Sequence, residues 1–123
     1  MRQLQGRTDV TLVGVYEPDA ALREAFRVRH GLGAAQMFAT LDPLLTSLKP
    51  DAVAAFSSTR DHRPIVEAAA ARGVHVMVEK PLAVSVADAR AIDQAAVKGR
   101  IHVLVNYETT WYPSHRALWR LMK

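Results

Sequence analysis

Gly73-Val74-His75-Val76-Met77-Val78-Glu79-Lys80-Pro81-Leu82-Ala83 decides how the rest of this chain is read. Residues 74–78 are apolar at nearly every position, and the run then breaks into an acid, a base and a proline. Continuous rather than alternating apolarity marks a strand covered on both faces, as in a parallel sheet. Two residues beyond Ala83, Ser85 with Asp88 three positions on gives a start resembling a capping box. The helix that follows is stopped by Gly99. Lys80 is therefore expected where a buried strand turns toward a helix.

Four further apolar runs occupy 10–16, 35–38, 52–56 and 101–105. Helical patterns with recognisable ends lie between them. Asp19 caps a helix over 20–29, which Gly31 and Gly33 stop. Thr40 caps one through 48, closed by Pro50. Thr59 or Asp61 starts one that reaches 72 and ends at Gly73. Pro113 suits the first turn of a last helix over 114–122, where Ala117, Leu118, Leu121 and Met122 keep the helical period. Repeated strand–helix–strand units predict an α/β fold with a parallel sheet, whose strand C-termini share one ligand-binding edge. At 106–113 the apolar strand gives way to polar and aromatic residues. The predicted division is therefore 1–106 and 107–123.

With 123 residues, one small domain is expected. A hydrophobic fraction of 50% and a charged fraction of 23% exclude a disordered tail, a collagen-like repeat and a coiled coil. The absence of cysteine excludes disulfides, cysteine–zinc sites, iron–sulfur clusters and thiol nucleophiles. Sixteen Lys and Arg against twelve Asp and Glu leave +4, but the basic residues are dispersed, so no nucleic-acid partner is expected. Arg23, Arg27 and His30 read as a solvated helix face. No apolar run reaches the ~18 residues of a membrane span, and the first residues lack a signal-peptide core. A cytoplasmic protein without membrane attachment is the expectation. His30, His62, His75, His102 and His115 do not fall at metal-ligand spacing, so no metal site is predicted. His75 and His102 read as hydrogen-bonded structural residues. No nucleophile elbow, P-loop or S-x-x-K motif supports a hydrolase or NTPase.

Two positions carry chemistry. Glu17 ends the 10–16 run and precedes Pro18 and Asp19. An acid there accepts hydrogen bonds from the adenosine ribose of a dinucleotide and repels a 2′-phosphate, although a turn-forming Glu-Pro-Asp fits the position equally well. Lys80 precedes a proline that biases it to extended backbone and admits a cis bond. A lysine in a partly desolvated site can exchange a proton near neutral pH; alone, the triplet is also compatible with a surface Glu–Lys pair.

Taken together, these stretches resemble the glucose–fructose oxidoreductase / inositol dehydrogenase / rhizopine catabolism (Gfo/Idh/MocA) family. The matching pieces are 13–19, 48–53, 57–62, 73–83 and 105–113, in the family's order and spacing. The resemblance implies a Rossmann domain followed by a substrate domain, and NAD(P)-dependent oxidation or reduction of a small sugar or cyclitol at a CH–OH carbon. It assigns dinucleotide contacts to Glu17, Ser57, Ser58, His62, Glu79 and Lys80. Lys80 becomes the catalytic residue, and Tyr107 and Trp111 face the substrate side. NAD is favoured over NADP by Glu17, with Arg23 and Arg27 as the counterweight. A homo-oligomer is allowed.

The departures concern the ends. The family's first strand and glycine-rich loop, on the order of 20–25 residues, have no counterpart here. Only residues 2–5 correspond to the end of the helix that follows that loop. The stretch 31–36 imitates the loop but follows a helix, and reads as a helix stop. An incomplete Rossmann sheet with the start of a truncated second domain is therefore expected, inactive alone and binding dinucleotide weakly or not at all. The alternative is a non-catalytic nucleotide-binding or regulatory protein on the same fold. A flavodoxin-like signalling domain would want more acids at strand ends. The enzymatic reading expects Glu17 and Lys80 to project from strand ends into one crevice.

Overall fold

The computed structural model describes residues 7–122, with the side chains of Thr110 and Trp111 outside the description. The helical end expected at residues 2–5 lies outside it as well. Two compact units divide the chain, Met1–Pro50 and Asp51–Lys123.

In the first unit, β1 (Val15–Tyr16) and β2 (Met37–Phe38) pair in parallel, Val15 opposite Met37 and Tyr16 opposite Phe38. Their connection is α1 (Ala20–His30). Asp19 caps α1 by accepting a hydrogen bond from the Leu22 amide at 2.8 Å. Gly31, at φ 63°, ends the helix in the left-handed conformation that glycine adopts without penalty. A 3₁₀ turn over Ala34–Gln36 leads into β2, so 31–36 is a helix stop followed by a turn, as its sequence context predicts. The last helix of the unit, α2 (Leu41–Leu48), buries Leu44 and Leu45. Thr40 precedes it without a side-chain capping bond. At Gly14 a Cβ would collide with Leu48 Cδ1, so α2 closes directly on the backbone before β1.

The expected strand over 10–16 shrinks to two residues. Strand geometry needs a neighbour to accept its ladder, and β2 offers only Met37 and Phe38. Before that pair, Gln36 Nε2 donates to the Leu12 carbonyl at 3.2 Å.

The second unit is a three-stranded parallel sheet in the order β3 (Ala52–Ala55), β4 (His75–Glu79), β5 (Val103–Asn106). The crossover from β3 to β4 is a 3₁₀ turn (Thr59–Asp61) running into α3 (His62–Ala70). The crossover from β4 to β5 is α4 (Val86–Gly99). Ser85 caps α4 as its sequence predicts, accepting from the Asp88 amide at 3.0 Å. After β5 come a 3₁₀ turn (Glu108–Trp111) and α5 (Pro113–Leu121), which opens on its proline.

Register puts Val53, Val76 and Val103 on one face of the sheet, with Ala55, Val78 and Val105 beside them. Val76, Val78 and Ala55 are buried there together with Val66, Ala69 and Ile65 of α3 and Ile92 of α4. Fully burying a valine contributes about 1.5–3 kcal/mol, so these residues set the register firmly. Helices α3 and α4 touch closely, since a Cβ on Gly99 would stand 2.5 Å from the Ala70 carbonyl oxygen.

The opposite face corrects the expectation of strands covered on both sides. There Ala54, Met77 and Leu104 lie in register, and Ala54 and Leu104 are exposed. Phe56, one residue past β3, is 73% exposed. Continuous apolarity reports residues suited to burial; which of them are covered depends on the helices present, and α3 and α4 pack on one side.

Candidate functional site

Because β3, β4 and β5 run parallel, their C-terminal ends share one edge of the sheet. That edge carries Ser57 and Ser58 after β3, Glu79 and Lys80 at the end of β4, and Asn106 and Tyr107 at the end of β5.

Glu79 stands opposite Asn106, and Asn106 Nδ2 donates to Glu79 Oε1 at 2.7 Å. Both side chains are half-buried. A short amide–carboxylate bond in such surroundings fixes the acid's orientation. Lys80 is exposed, and its peptide bond to Pro81 is cis, the isomer its sequence context admits. Tyr107 is 57% exposed, which leaves its ring available at the rim. Ser58 accepts from the Arg60 amide at 3.4 Å and so begins the 3₁₀ turn, while the Ser57 hydroxyl reaches the Ser58 carbonyl at 3.4 Å.

His62 is placed differently from the other expected dinucleotide contacts. It begins α3 and has none of its surface exposed. Its Nδ1 lies 3.1 Å from the Leu82 carbonyl oxygen, on the turn just past Lys80. Trp111 belongs to the 3₁₀ turn after Tyr107, and its side chain is outside the description.

Glu17 belongs to the first unit, directly after β1. Its amide donates to the Phe38 carbonyl at 3.0 Å, and its Oε1 accepts from the Asp19 amide at 2.9 Å. The side chain is half-buried and engages one carboxylate oxygen in the turn. Arg23 donates to the carbonyls of Glu17 and Pro18 at 2.7 and 3.2 Å. Arg27 grips Glu24 with two bonds, at 2.8 and 2.6 Å, and holds that carboxyl below the ordinary range. The basic triplet of α1 is thus occupied with its own helix and turn; its third member, His30, packs on Phe26.

At the other end of the sheet, His102 donates its backbone N–H to His75 Nδ1 at 2.9 Å, and the two rings stack 5.1 Å apart. Among the described residues, no group of three or more His, Cys, Asp or Glu could hold a metal ion. No helix among them is long and apolar enough to cross a membrane.

Sequence reading missed Asn106. The signal for it was present: both apolar runs that form β4 and β5 end in a single polar side chain, Glu79 after Val78 and Asn106 after Val105. Parallel pairing makes such residues neighbours.

An acid–base pair, hydroxyls and an aromatic ring along the C-terminal edge of a parallel sheet are the kind of edge at which α/β proteins bind dinucleotides. The chain belongs to the Gfo/Idh/MocA family, the oxidoreductase family with an NAD-binding Rossmann fold, whose model matches residues 1–107. It is 29% identical over 91 residues to the D-apiose dehydrogenase of Paraburkholderia graminis, covering 74% of this chain and 24% of that protein. The aldose–aldose oxidoreductase of Caulobacter crescentus, solved with glycerol, superposes with a TM-score of 0.72 at 26% identity, over 80% of this chain and 30% of its own. The WlbA dehydrogenase from Chromobacterium violaceum, solved with NADH and UDP-GlcNAcA, gives 0.69 at 28% identity, over 76% and 26%. The chain spans a quarter to a third of the length of the curated relatives it matches.

Proposed function

We propose that these residues form the nicotinamide and ribose side of an NAD-dependent oxidoreductase that acts on a CH–OH carbon of a small sugar or cyclitol. In this reading residues 1–106 are the dinucleotide-binding part, and 107–123 begin the substrate part. Bound NAD supplies a hydride acceptor. The residues fit it chemically. Glu17 keeps a carboxylate oxygen outside its turn bond for ribose hydroxyls, and Ser57 and Ser58 offer hydroxyls at the end of β3. Glu79, oriented by Asn106, carries negative charge beside Lys80. Lys80 is exposed at the edge, where its amine can meet a substrate hydroxyl, donate a hydrogen bond to it and exchange its proton. Tyr107 supplies a ring on the substrate side. NAD is favoured over NADP because Arg23 and Arg27 are engaged by the turn and by Glu24, leaving the acid at 17 to repel a 2′-phosphate.

The observation that carries this reading is the turn Glu79-Lys80-Pro81, set between hydroxyls and an aromatic on one parallel-sheet edge. In a polypeptide of the relatives' full length carrying this segment, Lys80→Ala should cut turnover by on the order of 10²–10⁴ and leave NAD affinity within a few-fold. Unchanged turnover would remove Lys80 from the mechanism. Among the described residues no glycine-rich turn leads from a strand into a helix to cradle a pyrophosphate, so calorimetric titration of this chain with NAD should give weak binding at most. A micromolar dissociation constant would contradict this.

A further inference from the structure

We propose that His62 is a positioning residue for Lys80, acting through the Leu82 carbonyl; the inference rests on the role given to Lys80 above. His62 is fully buried at the first turn of α3. Its Nδ1 is 3.1 Å from Leu82 O. A carbonyl oxygen only accepts, so the ring proton sits on Nδ1. The other nitrogen, Nε2, is buried and has no hydrogen-bond partner among the described residues. An unpartnered buried nitrogen costs stability, and an apolar side chain of similar size would fill the same space without that cost. What imidazole provides here, and an apolar residue cannot, is the bond to Leu82.

That bond ties the turn to a rigid frame. Val66 and Ala69 of the same helix have no exposed surface, and α3 is held against α4 and β4. On the other side of the turn, Glu79 is held by Asn106 at 2.7 Å. Lys80 is thus bracketed: its predecessor is fixed to β5 and the second residue after it is fixed to α3, while its own side chain is exposed. Without the imidazole, only the Glu79 side of the bracket remains, and the direction in which Lys80 leaves the sheet is no longer set.

The test is backbone ¹⁵N relaxation on the 123-residue chain and its variants. In the unaltered chain the Leu82 and Ala83 amides should be as rigid as β4, with order parameters of about 0.85. In His62→Leu they should fall below about 0.6, while Val66 and Val78 stay rigid. His62→Asn places an amide N–H at the position of Nδ1 and should restore the order; His62→Gln places it one bond further out and should not. The imidazole ¹⁵N spectrum of the unaltered chain should show the proton on Nδ1, a measurement that holds even if a variant fails to fold. A proton on Nε2 alone, equal order in His62→Leu and the unaltered chain, or equal behaviour of the Asn and Leu variants would each overturn the proposal. Neither readout involves NAD or turnover, so its failure is distinct from failure of the Lys80 experiment.

Discussion

Replacing Asn106 with aspartate tests the geometry of the site edge without any ligand. Asn106 Nδ2 now donates to Glu79 Oε1 at 2.7 Å, between half-buried side chains. Asn106→Asp removes the donor and sets a second carboxylate against the first. Losing a hydrogen bond to a charged acceptor costs about 1.5–3 kcal/mol. Two like charges that swing apart to ~4 Å repel by about 1 kcal/mol in a water-like medium and about 4 kcal/mol at an effective dielectric near 20. Half-burial argues for the lower part of that range, giving a destabilisation of about 2–4 kcal/mol at pH 7. The sign with pH follows from proton linkage. In the variant, mutual repulsion raises the pair's folded-state pKa above the unfolded values of about 4, so the folded state binds more protons than the unfolded one. Stability therefore falls as pH rises from about 4 toward 7 and is regained on acidification, where a protonated carboxyl can again donate to its neighbour. Urea unfolding at pH 4 and pH 7 measures both halves, with Asn106→Ala as the control that loses the bond without adding charge. Equal destabilisation of Asn106→Asp at the two pH values, or less than about 0.5 kcal/mol at pH 7, would show that the two side chains do not meet.

Two further variants probe the frame that carries the site. Ser85→Ala should cost about 1 kcal/mol by removing the cap of α4. The Ser85 hydroxyl, followed by Arg63, holds the Asp88 carboxyl below its ordinary value, so its contribution is present above about pH 4 and fades as pH falls through the depressed folded value. An NMR titration of Asp88 should move upward in the variant; an unmoved titration would sink the assignment. Gly99→Ala should destabilise by about 1–3 kcal/mol, because its methyl would stand 2.5 Å from the Ala70 carbonyl oxygen and force α3 and α4 apart. A rise in melting temperature would mean the two helices do not meet at Gly99.

Legibility in the sequence tracks the range of the interaction. Asp19 and Ser85 cap the helices they were expected to cap, and Gly31 ends the first, because each bond spans three or four residues. The strand over 10–16 was read too long, because pairing is decided by a partner 22 residues away that offers only two positions. Coverage of the sheet was overstated for a related reason. Leu104 and Ala54 are apolar, but nothing in their own runs says on which side the helices will lie. Among the candidate site residues, Glu17 and Lys80 are legible in their own positions, as charged residues beside prolines at the ends of apolar runs, whereas Ser57, Ser58, Glu79 and Tyr107 enter through the family resemblance. Asn106 is marked in the sequence only as the polar end of an apolar run, and neither its pairing with Glu79 nor the burial of His62 is legible there, since their partners lie 27 and 20 residues away and only register or helix packing brings them near.

The link between core and chemistry runs through that register. Val76 and Val78 are buried against the helix-covered side, and each pairs with a β5 valine, Val103 and Val105. Continuing the same ladder by one position places Glu79 opposite Asn106. A slip of one residue would send the valines to the open face and set Glu79 beside Val105 or Tyr107, with no amide to hold its carboxylate. The valines therefore do more than stabilise: their burial selects the pairing that orients the acid preceding Lys80. Apolar substitutions that keep this register should leave the Glu79–Asn106 bond intact, whereas one that shifts it dismantles the edge even if every named site residue remains.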